Sequence, residues 1–306
     1  MRHWVVGSLN VDLVVDVSRF PAPGETVRGT TFGTYLGGKG GNQCMALARL
    51  GCRPRMVGRV GDDQFGTRYR HELDHAGADV SLVHTDTDEP TGTALIEVAP
   101  SGDNRIVIVA GANGTMSIDH VKDALSGIQA GDAVLLQLEI PMETVEYVAD
   151  IARRAGAVVI LDPAPADTLS GELLSRVSWL TPNEHEASVI TGIDTASDDG
   201  LTRAARALAA TGVEHVVIKA GARGAWYLSQ TDPTPVLVPG FVVEAVDTTA
   251  AGDSFNAGLA WALGDGKRGE DAIRTASAVA AISVTGKGAQ GAMPTVATVE
   301  RFLARI

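Results

Sequence analysis

Residues 133–161 read AVLLQLEIPMETVEYVADIARRAGAVVIL. Ala133–Leu136 is a short apolar run of strand character, and Met142–Ala155 carries a helical period. Gly156 falls where a left-handed helix cap belongs, and Val158–Leu161 is the next apolar run. Such runs suit parallel strands covered on both faces. The alternation continues outward. Trp4–Gly7, Met56–Arg59, Trp179–Thr181 and Val216–Lys219 are further strands. Asn42–Leu50, Gln64–Ala76, Glu184–Ile190, Leu201–Ala210, Ser254–Leu263 and Asp271–Val284 are expected as helices. Gly51, Gly77 and Gly212 follow helices as Gly156 does. The pattern predicts an α/β sandwich. No repeat, low-complexity tract or linker divides the 306 residues, which read as a single domain.

Two regions break the alternation. Val11–Val17 and Thr26–Leu36 read as extended, and Leu95–Val98 and Arg105–Val109 flank a turn at Pro100–Asn104. They could form a small antiparallel sheet standing off the main body, whose bare face would cover a ligand or pair with another subunit. An edge extension of the main sheet is the other open reading.

Lys plus Arg number 25 and Asp plus Glu 37, so the formal charge is 25 − 37 = −12. That balance argues against non-specific binding of nucleic acid or anionic membranes. A local phosphate site stays open, because backbone N–H groups bind anions whatever the net charge. Cys44 and Cys52 lack CxxC spacing. No apolar run suits a membrane span, and Asn10 and Asp12 interrupt any leader-like core. The expectation is a cytoplasmic protein.

Five clusters could carry chemistry. Gly37-Gly38-Lys39-Gly40-Gly41-Asn42 opens an apolar helix, and its glycines let backbone approach a ligand closely. A Walker A loop is rejected, because Gly40 stands where Ser or Thr would hold Mg²⁺. Asp247-Thr248-Thr249-Ala250-Ala251-Gly252-Asp253-Ser254-Phe255 also runs into a helix. Small residues there leave N–H groups open to a phosphoryl group, and Asp253 beside them suits removal of a proton from an attacking hydroxyl. The plain alternative is an Asp N-cap. Asn183 and Glu186 have the spacing of a capping box. Lys219 to Gly224 reads as a hairpin turn or a nucleotide-lining loop. Gly286 to Gly291 spells GxGxxG but follows a helix, so a Rossmann fingerprint is rejected.

Together these clusters resemble the ribokinase-like (PfkB) family of carbohydrate kinases, from about Val5 to Phe302. Gly7–Asp12, Pro21–Thr26, Asn183–Glu186 and Val284–Gln290 add to the likeness. The resemblance implies a three-layer α/β/α sandwich with a mostly parallel sheet and a small β lid from about 11–36 and 91–110, clasped between two subunits of a homodimer. It implies transfer of the ATP γ-phosphoryl group to the 5-hydroxyl of ribose. Sugar positions would be Asn10, Asp12, Gly38, Lys39, Gly40, Gly41, Asn42 and Glu139, with Asp253 as base and Ala250, Ala251 and Gly252 as anion hole. ATP positions would be Asn183, Lys219, Gly221, Arg223, Gly224, Gly252 and Ser277. Asp247, Thr249, Ser283, Gly286 and Gly288 would hold K⁺, and Glu186 would hold Mg²⁺ through water.

The chain departs from that pattern in places. Gly41 replaces a commoner Ala, which loosens the turn. Lys219 stands where a small or hydroxyl residue is common, and Ser277 where a larger side chain is. Gly291-Ala292-Met293 departs at the end of the cation loop. A sister kinase for another sugar or a nucleoside, and an inactive sugar sensor of the same fold, are the rival readings.

Overall fold

The computed structural model describes residues 1–305. The chain enters at β1 (His3–Val6), leaves for the hairpin β2 (Asn10–Val17) and β3 (Gly29–Gly37), and returns through α1 (Lys39–Arg49) to β4 (Arg55–Gly61). Then α2 (Gln64–His75) leads to β5 (Asp79–Asp86), and a second excursion forms the hairpin β6 (Gly92–Val98) and β7 (Asn104–Val109). Alternation resumes with α3 (Ile118–Leu125), β8 (Ala133–Leu136), α4 (Met142–Arg154), β9 (Val158–Leu161), α5 (Gly171–Leu174) and β10 (Trp179–Leu180). It continues through α6 (Glu184–Thr191), α7 (Asp198–Ala209) and β11 (His215–Lys219). The strands β12 (Ala225–Ser229) and β13 (Val236–Val238) precede three final helices, α8 (Ala251–Gly264), α9 (Gly269–Ser283) and α10 (Val296–Leu303).

The main sheet has nine strands in the order β13-β12-β11-β10-β9-β8-β1-β4-β5. The strands from β5 through β11 in that order are parallel; β12 pairs antiparallel with β11, and β13 antiparallel with β12. Side chains alternate across a strand, so each apolar run feeds two cores. Val6, Val134, Leu136, Val159 and Leu161 pack with Leu125 of α3, Val148 of α4 and Leu208 of α7. Val5, Leu135, Ile160 and Val217 pack on the other face with Leu47 of α1, Leu73 of α2, Leu259 of α8 and Ile273 of α9. Three layers follow from that division. Cys44, which is buried, and Cys52, which is half-buried, are both free thiols. Among the described residues, no helix is long and apolar enough to cross a membrane.

The two irregular segments form a separate four-stranded sheet, ordered β3-β2-β6-β7. Its outer pairs are antiparallel, as expected, but its central pair, β2 with β6, is parallel. Asn10 and Gly92 start their strands side by side. Each follows a parallel strand of the main sheet, β1 or β5, so both segments leave in the same direction.

Four helix starts differ from expectation: α7 begins at Asp198 and α9 at Gly269, ahead of the expected Leu201 and Asp271, and two others lie at the glycine- and alanine-rich motifs. Helices α1 and α8 begin at Lys39 and Ala251, not at Asn42 and Ser254. The Gly and Ala runs that read as loop are wound into first turns, held by close packing. Gly38 has φ +79°, and a Cβ there would lie 2.6 Å from the Asn10 nitrogen. Gly51, Gly77, Gly156 and Gly212 all have positive φ, the left-handed caps anticipated.

Candidate active site

The C-terminal ends of β1, β8, β9, β10 and β11 converge with the N-termini of α1 and α8, the place where open parallel sheets bind ligands. A cavity of about 580 Å³ opens there. It is lined by Lys39, Asn183, Glu186, Lys219, Gly221, Gly224, Ser277 and the run Ala250–Asp253. The structure therefore gathers residues from across the chain that sequence motifs had singled out separately.

Asp253 lies in the first turn of α8, three residues past the N-cap position, which Ala250 occupies. Its carboxylate accepts hydrogen bonds from Asn42 Nδ2 at 2.9 Å and Gln43 Nε2 at 3.3 Å. Burial pushes its pKa up to about 7; Lys39 opposes the rise and Asp162 adds to it. A carboxyl group poised near neutrality suits proton transfer.

Ala250 is the sole non-glycine with positive φ among the described residues, at 60°. A left-handed alanine costs ~1–2 kcal/mol, and such strain concentrates at functional sites. The conformation turns the chain so that the N–H groups of Ala250, Gly252 and Asp253 make no hydrogen bond among the described residues. The Ala251 N–H differs from its neighbours: it donates to the Thr248 carbonyl at 3.2 Å. The expected nest is thus built from three of the four N–H groups. A Cβ on Gly252 would lie 3.3 Å from Lys219 Nζ, which sets that ammonium against the nest.

Lys219 also pairs with Asp162 at 2.9 Å. Asp162 was missed by sequence reasoning. Its signal was positional: a carboxylate directly after a central strand, β9. Burial disfavours the charge of Lys39, but Asp253, Asp162, Glu139 and Glu186 together raise its pKa.

The group expected to bind sugar sits at the start of α1. Glu139 accepts hydrogen bonds from the Lys39 backbone N–H at 2.9 Å and from the Ser8 hydroxyl. It thereby caps a helix whose N-cap, Gly38, has no side chain to do so. Asn10 accepts from Asn113 Nδ2 at 2.7 Å. Burial, with Glu139 nearby, raises the pKa of Asp12 to about 7. Gly41 does not loosen its turn. A Cβ there would lie 1.9 Å from the Tyr69 hydroxyl, which donates to the Gly37 carbonyl.

Asn183 and Glu186 form the capping box. Asn183 Oδ1 accepts from the Glu186 N–H, and the Glu186 carboxylate accepts from the Asn183 N–H, each at 2.8 Å. Glu186 still lines the cavity; burial raises its pKa and Lys219 opposes the rise. Each of its oxygens takes one hydrogen bond from Asn183, which leaves lone pairs for the waters of a hard Mg²⁺ ion. The Lys219–Gly224 segment is both things its sequence suggested: a tight link between antiparallel β11 and β12, and cavity wall. Arg223 is the exception within it. Its guanidinium pairs with Asp198 at 2.9 Å and with Glu184, and it is absent from the cavity lining.

Asp247 ties two loops together. One oxygen accepts from the Thr249 N–H at 2.9 Å, the other from the Gly288 N–H at 2.9 Å. Burial disfavours its charge, but these bonds and the Thr249 hydroxyl hold its pKa below the usual value. The expected K⁺ ligands Asp247, Thr249, Ser283, Gly286 and Gly288 offer only oxygen donors, the chemistry a hard monovalent cation requires. Gly240, Phe241, Val242, Val243 and Ala245, with Ala280, Ala281 and Val284, complete the cavity wall beside Ser277. These small and apolar residues carry no chemical signature, so no motif pointed to them.

The pfkB family carbohydrate kinases match residues 3–296. The chain belongs to that family. This kinase is 42% identical to the ribokinase of Haemophilus influenzae over 98% of its own length and 97% of the relative's. It is 43% identical to the ribokinase of Bacillus subtilis, covering 98% of each chain. The structure of Arabidopsis thaliana ribokinase complexed with ribose and ATP matches with a TM-score of 0.91 and 36% identity, over 99% of the kinase and 98% of the relative.

Proposed function

We propose that this kinase transfers the γ-phosphoryl group of ATP to the 5-hydroxyl of D-ribose. One observation carries the reading: Asp253 is buried with a pKa of about 7 beside the open N–H groups of Ala250, Gly252 and Asp253, at a cavity sized for a nucleotide. Likeness to ribokinases over nearly the whole chain supports ribose as the sugar.

Asn10, Asp12, Asn42, Lys39 and Glu139, with the backbone of Gly38, Gly40 and Gly41, hold the sugar hydroxyls. The adenine lies against Ser277, Ala280 and Ala281, and the phosphates run past Asn183, Lys219, Gly221 and Gly224. Asp253 accepts the proton of the attacking hydroxyl. Lys39, Lys219 and the open N–H groups stabilise charge on the transferring group. Mg²⁺, held through water by Glu186, would neutralise phosphate oxygens. K⁺, held by Asp247, Thr249, Ser283, Gly286 and Gly288, would fix the loop bearing the nest. Residues 1–306 act as one cytoplasmic kinase domain, with the small sheet as lid over the sugar. Its exposed Phe32, Leu95, Val107 and Val109 share the face opposite Asn10 and Asp12 and supply an apolar surface for the lid of a second subunit.

An ADP-release assay over pentoses, hexoses and nucleosides, with and without K⁺, tests this. Saturation by ribose at the lowest concentration is expected. Saturation by fructose but not ribose would overturn the substrate; ribose binding without turnover would reduce the protein to a sugar sensor.

A further inference from the structure

Gln43 is fully buried on α1, one residue beyond the glycine-rich motif, and the mechanism above gives it no task. Its Nε2 lies 3.3 Å from Asp253 Oδ1 and 3.3 Å from Asp162 Oδ2. One amide group thus divides its two hydrogens between two buried carboxylates. Its Oε1 accepts from Gln137 Nε2 at 2.7 Å. Gln137 is equally buried, and its own Oε1 has no partner among the described residues. A buried orphan oxygen costs free energy. Here it follows from the orientation required: Gln137 must present its NH₂ to Gln43, so that Gln43 presents its NH₂ to the acids. The chain of contacts continues from Asp162 to Lys219 Nζ at 2.9 Å.

We propose that Gln43 is a positioning residue for the proton-accepting carboxylate: its amide joins Asp253 to Asp162, and through Asp162 to Lys219 at the nucleotide end of the cavity. The proposal rests on Asp253 being the base. Two carboxylates brought together without a donor disfavour each other's charge, and a hydrogen bond to the charged form favours it. The shared amide does both jobs. It separates Asp162 from Asp253 and keeps Asp253 ready to accept a proton. The other groups that act on Asp253 are Lys39 and Asn42 from α1, Tyr69 from α2, Glu139 after β8 and Asp162 after β9. All of them stay in place when only the Gln43 amide is removed.

The test is the pH profile of kcat for the wild type, Gln43→Met and Gln137→Met, with KM for MgATP measured alongside. Met keeps the volume of Gln and drops the donors. Gln43→Met is expected to lower kcat ~10- to 100-fold, with KM for MgATP within about twofold, and to move the acidic limb upward by about half a unit or more. Gln137→Met, which leaves the Gln43 amide free to turn, should shift the limb the same way by less. A folded Gln43→Met enzyme whose acidic limb matches wild type overturns the proposal, whatever its kcat. Should Gln43→Met fail to fold, a wild-type limb in Gln137→Met overturns it. Asp253→Asn is run in parallel. Retained turnover there removes the base itself, whereas an inactive Asp253→Asn beside an unshifted Gln43→Met removes only the positioning role.

Discussion

The Asn42 amide donates to the Asp253 carboxylate at 2.9 Å across 211 residues of sequence. The first turns of α1 and α8 are thereby joined, one from each of the two motifs that carry the family likeness. Asn42 also accepts from Gln290 Nε2 at 3.1 Å, so its amide orientation is held from both sides. A residue expected to bind sugar therefore orients the proposed base as well.

Asp253→Asn removes the proposed proton acceptor and keeps the shape. We expect turnover to fall by about 10²- to 10⁴-fold, with ATP binding retained. Steady-state kinetics and ATP titration check the two halves separately.

Asp12 and Asp253 both have pKa values raised to about 7 by burial. A raised carboxylate pKa means the folded state holds the proton more tightly than the unfolded chain. The stabilisation is complete below the ordinary carboxylate range and is lost as pH climbs through about 7. The proposed mechanism needs Asp253 ionised, so kcat should rise over the same interval. Melting temperature should fall where kcat rises, and Asp253→Asn should flatten part of the melting curve's pH dependence.

Gly41 faces the Tyr69 hydroxyl, so Gly41→Ala should destabilise the fold by ~1–3 kcal/mol. Tyr69→Phe removes the clashing oxygen. Combined with Gly41→Ala, it should cost less than the sum of the two single changes, which a double-mutant cycle by denaturant unfolding measures.

Asp247 joins the loop before α8 to the loop after α9. On the proposed K⁺ site, Asp247→Ala should abolish activation by K⁺ and lower kcat more than it raises KM for ribose. Titration of activity with KCl reads this directly.

Val107 on β7 is 60% exposed within an apolar strand. If the lids clasp, Val107→Asp should convert dimer to monomer in sedimentation and weaken ribose binding. An unchanged dimer would place the interface elsewhere.

Much of the fold was legible because parallel strands buried on both faces must be apolar throughout. Ala133–Leu136 and Val158–Leu161 match their strands residue for residue. The starts of α1 and α8 were not legible, because glycine and alanine read as loop unless something packs against them. Asp253 was legible from its small-residue neighbours. Asp162, Gln137 and Gln43 were not, because a lone Asp or Gln, whether after an apolar strand or inside a helix, gains meaning only from what lies across from it.

By itself, the sequence determined the α/β alternation, the glycine caps and the residue types a phosphoryl-transfer site needs, since these depend on local periodicity and side-chain chemistry. Tertiary structure alone decided which groups meet. It brought Asn42 and Gln43 to Asp253, committed Lys219 to Asp162, turned Arg223 toward Asp198 and Glu184, and paired β2 with β6 in parallel. The physical reason is that burial and hydrogen bonding across long sequence separations set orientation and proton affinity, and neither is encoded in any one segment.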